Sequence, residues 1–554
     1  MSKARPLSRD QVLELRRSIM ARSPNADERL AAAIERMPKS MAALRELHDL
    51  LLFIEAYPLS AEQQRIAKRG KEMMIGALRD SDTRLRAALR DSGLHGCDTV
   101  GMYSLTLVRW LLSRWPDEVG LFSVDAETDE ARELLRPLLA ESEREALDLH
   151  DDSSSALVAM LFGMDPRRQL RDLVELIDAQ PASDELREAL FARLQVHVRV
   201  KGGSLPSLNT LRGLKHATHL HAKGLERSVD LSAVMDQPVG PSLPLTTGKR
   251  RRLIDDARAI LCLMQRETDP ITYAQEVQCF DMGRGLVIAL FHLDPSHRLA
   301  LESYVGFMAF KNGVPLGYGG AWIFPGRSKV GINVFPALRG GESAWFFAQL
   351  LRLYRQRYGI CVFEAENYQL GHGNADGLKS GAYWFYYRLG FRPWDVHHER
   401  TAAREFARMQ KSRGYQPDVR TLKELVADGL VLRAAEEPAP MIDTAALVSA
   451  AQQLAARAES KTRQQLLSHA KGIACLAFGL KHEDLQKRGI ALAMDAWALP
   501  LLLLGEYQRW PRTDLAHMKR ALLAKAARTE DTYQSELRGC RMLLAGWASV
   551  LQQT

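Results

Sequence analysis

Apolar residues recur every three or four positions through most of the chain before residue 201. The clearest stretches are residues 41–56, 61–78, 103–114 and 130–139, and prolines such as Pro58 and Pro116 separate them. This spacing places apolar side chains on one face of a helix, and proline marks helix ends. The pattern predicts an α-helical domain over residues 1–200.

The periodicity is lost between residues 201 and 244, where glycine, serine, proline and histidine are frequent. Such a composition favours turns, so we predict a linker or crossover here. His216, His219 and His221 lie in or near this segment's centre, and histidine is a common metal ligand. No cysteine or pair of carboxylates is close to them in the sequence, so no metal is expected.

A different pattern follows a predicted helix at residues 249–265. Short segments rich in β-branched and aromatic residues are bounded by turn residues, with Asn312-Gly313 between two of them; the segments are residues 277–282, 285–292, 304–311, 315–324 and 329–335. Asn-Gly is typical of a tight hairpin, so successive antiparallel strands are predicted. A helix (342–358), a strand (360–365) and a second helix (374–389) come next, and Gly359 and Gly390 follow the two helices.

Helical patterns return towards the end of the chain. Two occur between residues 401 and 432, residues 436–443 read as a second linker, and residues 444–554 predict a helical bundle. The predicted architecture is α+β and multidomain. A central mixed, mostly antiparallel sheet with helices spans residues 245–435, between an all-α N-terminal domain and an all-α C-terminal bundle.

Two motifs of the central region carry candidate chemistry. A strand at residues 331–335 leads into residues 339–343 (RGGES), which open an amphipathic helix. Such a turn presents backbone N–H groups and the positive end of a helix dipole, which suit a pyrophosphate. Residues 380–391 (SGAYWFYYRLGF) form the second motif. In this order, after antiparallel strands, the motifs resemble the GNAT (N-acetyltransferase) superfamily over residues 250–393.

The resemblance implies contacts with acetyl-CoA or another acyl-CoA. In the family two neighbouring strands splay apart, here residues 329–335 and 360–365, and the first binds the pantetheine arm. The implied contacts are Asn333, Val334 and Phe335 for pantetheine, and Arg339, Gly340, Gly341 and Ser343 for pyrophosphate. Tyr386, four residues before Gly390, matches a tyrosine that protonates the departing thiolate. A core role for Tyr386 stays open, because the consecutive aromatic residues 383–387 face all directions around a helix.

Glu364 and Glu366 are the candidate bases, because an amine that attacks a thioester must lose a proton. They share one face of the second splayed strand, and a position facing water is the alternative for both. The chain also departs from the family pattern. The turn at 339–343 is one residue shorter than usual, Glu342 brings a negative charge into it, and Lys379 stands where the family has an asparagine.

Composition adds few constraints. The 554 residues carry 75 basic and 67 acidic side chains, a net charge of +8, and six scattered cysteines that predict reduced thiols. The basic N-terminus lacks the apolar stretch of a secretory signal, and no apolar run is long enough to cross a membrane, so we expect a cytoplasmic protein. The basic residues 249–252 (KRRR) predict either a phosphate or nucleic-acid contact or a solvated first helical turn.

Three functions are consistent with these features. The first is an acyl-CoA-dependent N-acyltransferase that acts on an unidentified amine, either a small molecule or a protein. The second is a catalytically inactive GNAT-shaped module for sensing or protein interaction, which the short turn with Glu342 favours. The third is a transferase of the same fold whose donor is an acyl-carrier protein or aminoacyl-tRNA. A small molecule or protein is favoured over nucleic acid as a partner, nucleic acid stays an open alternative, and no membrane partner is expected.

Overall fold

The computed structural model describes residues 5–148, 153–203, 217–412, 414–435, 444–457 and 462–552. The protein is α+β and multidomain, with a large mixed sheet between two mainly helical regions. The chain begins with helices that pack around their own core, which includes Leu30 and Leu51. These helices are α1 (Arg9–Met20), α2 (Ala26–Ile34), α3 (Met41–Ala56), α4 (Ala61–Arg79) and α5 (Thr83–Ala88).

The rest of the N-terminal region combines helices with a three-stranded antiparallel sheet of order β1-β3-β2. Its elements are β1 (Thr99–Met102), α6 (Leu105–Arg114), β2 (Val119–Val124), α7 (Thr128–Leu135), α8 (Glu141–Asp148), α9 (Ser154–Phe162), α10 (Pro166–Asp178), α11 (Asp184–Arg193) and β3 (Val196–Val200). The prediction of an all-α N-terminal domain is therefore wrong. In β3 every second residue is a buried valine, which is the alternation of a strand.

The central region contains an eight-stranded sheet of order β10-β11-β9-β8-β7-β6-β5-β4. Its strands are β4 (Ala274–Gly283), β5 (Leu286–Leu293), β6 (Ser303–Lys311), β7 (Val314–Phe324), β8 (Arg327–Val334), β9 (Val362–Ala365), β10 (Arg392–Pro393) and β11 (Leu430–Arg433). Among these strands β8 and β9 pair in parallel and the other neighbours are antiparallel, so the expectation of a mixed, mostly antiparallel sheet is confirmed. Asn312 and Gly313, with φ of 50° and 82°, make the predicted hairpin turn between β6 and β7.

Helices cover the sheet and connect its later strands. They are α12 (Leu231–Met235), α13 (Thr247–Leu263), α14 (Asp269–Thr272), α15 (Ser343–Tyr358), α16 (Asn367–Leu370), α17 (Ala375–Ser380), α18 (Ala382–Arg388), α19 (Val396–Lys411) and α20 (Val419–Leu425). The helix predicted at residues 374–389 is divided into α17 and α18, because Gly381 adopts a left-handed φ of 70°. Leu111 and Val198 of the N-terminal region belong to the same buried cluster as Phe307 and Leu350, so one core joins that region to the sheet.

The C-terminal region is helical over its described residues. Its helices are α21 (Thr444–Arg457), α22 (Arg463–Phe478), α23 (His482–Leu485), α24 (Arg488–Leu503), α25 (Arg512–Ala524), α26 (Asp531–Gly539) and α27 (Arg541–Gln552). Trp497, Tyr533 and Trp547 fill its core. Gln534 Nε2 donates to Ser303 Oγ at 2.8 Å and attaches the bundle to the sheet. Within the described ranges, no helix has the length and apolar character needed to span a bilayer.

Candidate functional site

Strands β8 and β9 form a fork, which is where the resemblance places the cofactor. They pair from Arg327 opposite Val362 to Lys329 opposite Glu364, and β8 then continues to Val334 without β9 beside it. Parallel strands joined by helix α15 can diverge in this way because no tight turn holds their ends together. Asn333 and Val334 lie in the part of β8 that pairs with β7 but not with β9, and Phe335 follows it. The Phe335 N–H donates to Leu316 O at 3.0 Å.

Gln369 of α16 covers the free edge of β8 inside the fork. Its Nε2 donates to the carbonyl oxygen of Ile332 at 2.8 Å. A Cβ added at Gly331 would lie 3.0 Å from Gln369 Oε1, so this side chain also lies against the strand backbone. Gln369 therefore occupies one backbone acceptor on the edge of β8 that β9 leaves free, next to the predicted contacts Asn333 and Val334. The sequence analysis missed this residue.

Tyr386 lies at the same fork and is 1% exposed. Its ring packs against Phe347 and Phe391, as a core aromatic does. Burial raises the pKa of its hydroxyl, and the backbone N–H of Ile332 and the Gln369 side chain face that hydroxyl and oppose the rise. Among the described residues none completes a hydrogen bond with it. The tyrosine is thus a core residue whose polar end points to the fork.

The two candidate bases lie at the narrow end of the fork, and each is ion-paired. Glu364 Oε2 lies 2.6 Å from Arg327 Nη2, and both side chains are largely buried. Glu366 Oε1 lies 2.9 Å from Lys329 Nζ, and about half of each side chain is exposed. A carboxylate that already neutralises a neighbouring cation is poorly placed to accept a proton from a substrate. The roles predicted for Glu364 and Glu366 stay predictions.

The turn at residues 339–343 lies at the end of β8, beneath helix α3 and Tyr57. A Cβ added at Gly341 would lie 2.5 Å from the Tyr57 ring, so the ring rests directly on the glycine backbone. The Gly341 N–H donates to Leu338 O at 3.3 Å, and the Glu342 N–H donates to the Tyr57 hydroxyl at 3.3 Å. Arg339 and Gly340 are exposed beside this contact. Two of the amides that would face a pyrophosphate are therefore already used.

Glu342 points inward and is the centre of a buried charge cluster, which we call the Glu342 cluster. Its Oε2 lies 2.6 Å from Lys311 Nζ, its Oε1 is hydrogen-bonded to Arg284, and His221 Nδ1 lies 3.5 Å from Oε1. The backbone N–H of Glu226 donates to Oε1 at 2.8 Å. The side chains of Glu342 and Lys311 are each 1% exposed. Three distant parts of the chain thus meet at one carboxylate.

The electrostatics of the cluster follow from its burial. Burial would raise the pKa of Glu342, but nearby His221, Lys311 and Arg284 outweigh it and hold the pKa well below its usual range. Burial lowers the pKa of Lys311 to about 8, although Glu342 opposes the change. Burial also lowers the pKa of His221. The cluster is therefore an ionised carboxylate held mainly by Lys311 and Arg284.

In this arrangement part of the turn is covered and its nearest buried cations are already paired. Tyr57 covers the Gly341 backbone, and the carboxylate of Glu342 already pairs with Lys311 and Arg284. An unpaired anion added there would compete with a buried, fully bonded one. Arg339, Gly340, Gly341 and Ser343 lie along the turn, with Gly341 under the Tyr57 ring, and their predicted contact with pyrophosphate stays a prediction.

The histidines of the predicted linker do not form a metal centre in the part of the chain that the structure describes. His219 and His221 stack edge to face with ring centroids 4.8 Å apart, and His216 lies outside the described residues. No group of three or more histidine, cysteine or carboxylate side chains with metal-binding geometry occurs among the described positions.

Comparison with protein-family models, with curated proteins and with solved structures gives no match for this chain. The protein is therefore classified by its fold and its candidate site alone. The protein is a multidomain α+β protein with a mixed sheet that forks between two parallel strands, and a buried carboxylate cluster closes the turn beyond the fork.

Proposed function

We propose that the protein is a catalytically inactive, GNAT-shaped module for ligand sensing or protein interaction. The observation that carries the proposal is the Glu342 cluster. In an acyl-CoA enzyme of this shape the turn is open to bind pyrophosphate, whereas here a 1% exposed carboxylate is held by Lys311 and Arg284 under Tyr57. The turn thereby attaches the N-terminal helices to the sheet. In this proposal the turn at residues 339–343 therefore has a structural role and does not bind a cofactor.

The fork supports the same proposal. Gln369 is hydrogen-bonded to Ile332, and Glu364 and Glu366 are each paired with a cation. Catalysis of amine acylation needs a cleft in which acyl donor, base and proton donor meet at hydrogen-bonding distance. These side chains have partners of their own instead.

A second candidate is the acyl-CoA-dependent N-acyltransferase, and one observation favours it. The Tyr386 hydroxyl is buried at the fork without a hydrogen-bond partner among the described residues. A buried hydroxyl without a partner is unfavourable, and such groups often have a functional role. If the fork opened, Tyr386 would be placed to donate a proton there.

Thiol release separates the two candidates. The wild-type protein and Tyr386→Phe are incubated with acetyl-CoA and a panel of amines that includes polyamines, lysine peptides and aminoglycosides. The proposal predicts that neither protein releases CoA thiol above the rate without protein. Release by the wild-type protein that falls strongly in Tyr386→Phe would overturn the proposal and support acyl transfer.

A further inference from the structure

A second site lies away from the fork, in a cavity of about 430 Å³. Three parts of the protein line it: helix α6, the segment from α13 to β4, and the loop before α26. Five arginines define it, and we call it the arginine cavity; they are Arg114, Arg250, Arg251, Arg258 and Arg528. Arg250 and Arg251 belong to the basic run that the sequence analysis singled out.

The arginine cavity carries an excess of positive charge. Its five guanidinium groups face two carboxylates, Asp255 and Glu276, which leaves a formal charge of +3. Asp255 already accepts hydrogen bonds from Trp110 at 3.0 Å and Arg114 at 2.8 Å. Glu276 lies 3.2 Å from Arg250. The carboxylates are therefore occupied, and they hold Arg114 and Arg250 in place at the wall.

Two arginines keep their donors for a ligand. Arg251 is exposed and has no ion-pair partner among the described residues. The side chain of Arg528 is 77% exposed, and its nearest carboxylate oxygen, on Glu276, is 3.8 Å away. Guanidinium groups donate in a planar fork that matches phosphate oxygens. Arg251 and Arg528 lie on different elements, so one bound group would bridge the central and C-terminal regions.

We propose that the arginine cavity binds a small molecule that bears phosphate groups. Its volume lies within the range of sites for small ligands, about 300–1,000 Å³. Nucleic acid would require a basic track along the surface, whereas here the cations converge on one cavity whose wall includes Asp255 and Glu276. The proposal goes beyond the proposed function, because it holds whether or not the fork is catalytic.

Calorimetric titration with sodium pyrophosphate and with ATP, at low ionic strength, tests the proposal. The test variant is Arg251→Gln/Arg528→Gln, which removes the two available donors. The matched control is Arg252→Gln, because Arg252 is an exposed neighbour on the same helix that does not line the cavity. We expect the wild-type protein and the control to bind at least one probe, and the double variant to bind it about tenfold more weakly or worse.

Each other outcome overturns the proposal. If neither probe binds the wild-type protein, the cavity is not a phosphate site. If the control loses as much affinity as the double variant, the binding is diffuse attraction to a basic surface. If a single-stranded oligonucleotide binds much more tightly than ATP and loses its affinity in the double variant, the ligand class is nucleic acid and not a small molecule.

Discussion

Glu342→Gln probes the buried cluster directly, because it keeps the shape of the side chain and removes its charge. Glu342 and Lys311 are each 1% exposed, so neither charge is solvated by water. Removing one partner of a buried ion pair typically costs about 3–5 kcal/mol, since the other charge is left uncompensated. We therefore expect the variant to lose about 3–5 kcal/mol of stability at pH 7.

Proton release from Lys311 sets a ceiling on this loss of stability. Lys311 can avoid a buried, unpaired charge by releasing its proton. Taking a lysine from its ordinary pKa of 10.5 to a neutral state at pH 7 costs about 5 kcal/mol. Because the unfolded state then holds the proton that the folded variant lacks, stability of the variant rises with pH up to about 10.5. The deficit relative to wild type should shrink between pH 7 and pH 9.

Thermal melting at pH 7 and pH 9 measures both effects, with Glu366→Gln as the matched control. Glu366 also pairs with a lysine, but half of it is exposed, so its loss should cost at most about 1 kcal/mol. Because the unfolding entropy is about 2 cal/mol/K per residue, a 554-residue chain shifts by roughly 1 °C per kcal/mol, so we expect Glu342→Gln to lower the melting temperature by about 3 °C or more at pH 7. Equal, small shifts in the two variants would refute the view that Glu342 and Lys311 form a buried ion pair on which the fold depends.

Three further predictions test neighbouring features by thermal melting. Gly341→Ala should lower the stability, because its methyl group would lie 2.5 Å from the Tyr57 ring. Gly76→Ala has open space around it on a helix, so it should be neutral or stabilising. A greater loss of stability in Gly76→Ala than in Gly341→Ala would contradict the packing of Tyr57 on the turn. Tyr386→Phe should leave the stability unchanged, because the Tyr386 hydroxyl has no hydrogen-bond partner among the described residues. Tyr354→Phe should cost about 1 kcal/mol of stability, because it removes a 2.9 Å hydrogen bond to a backbone carbonyl. An equal loss of stability in both variants would show that the Tyr386 hydroxyl is hydrogen-bonded. Burial lowers the pKa of His292 from 6.5 to about 4, so the unfolded state binds a proton at a higher pH than the folded state does. The contribution of His292 to stability should therefore fall by about 3 kcal/mol from pH 6.5 to pH 4. His292→Gln should flatten the dependence of stability on pH over this range, and an unchanged dependence would contradict the assignment.

The sequence predicted the central sheet well because its signals are local. The β-branched and aromatic residues of β6 and β7, which are buried almost throughout, and the turn at Asn312-Gly313 are contained within a few residues. The strand β3 does alternate between buried and more exposed residues, but it pairs with β1 almost a hundred residues earlier, and helical patterns surround both. Its pairing depends on tertiary contacts, which local periodicity does not contain. The position of β11 between β9 and β10 is a non-local feature of the same kind.

The candidate site was predicted in part. The sequence placed Tyr386 and the end of β8 near each other, and it identified Glu342 as an anomaly in the turn. It did not show that Glu342 points inward, because the cations that hold it, Lys311 and Arg284, come from other strands and turns. Tyr57, which covers the turn, lies 285 residues before Glu342. No spacing rule connects such positions.

Titration of acetyl-CoA into the wild-type protein and into Arg251→Gln/Arg528→Gln tests the central claim most directly. Acetyl-CoA carries phosphates of its own, so the arginine cavity can bind it without any acyl transfer. The account predicts that any affinity of the wild-type protein for acetyl-CoA is lost in the double variant, because it assigns no acyl-CoA site to the fork or to the turn at residues 339–343. Binding that is equally tight in both proteins would contradict the account and place the cofactor at the fork.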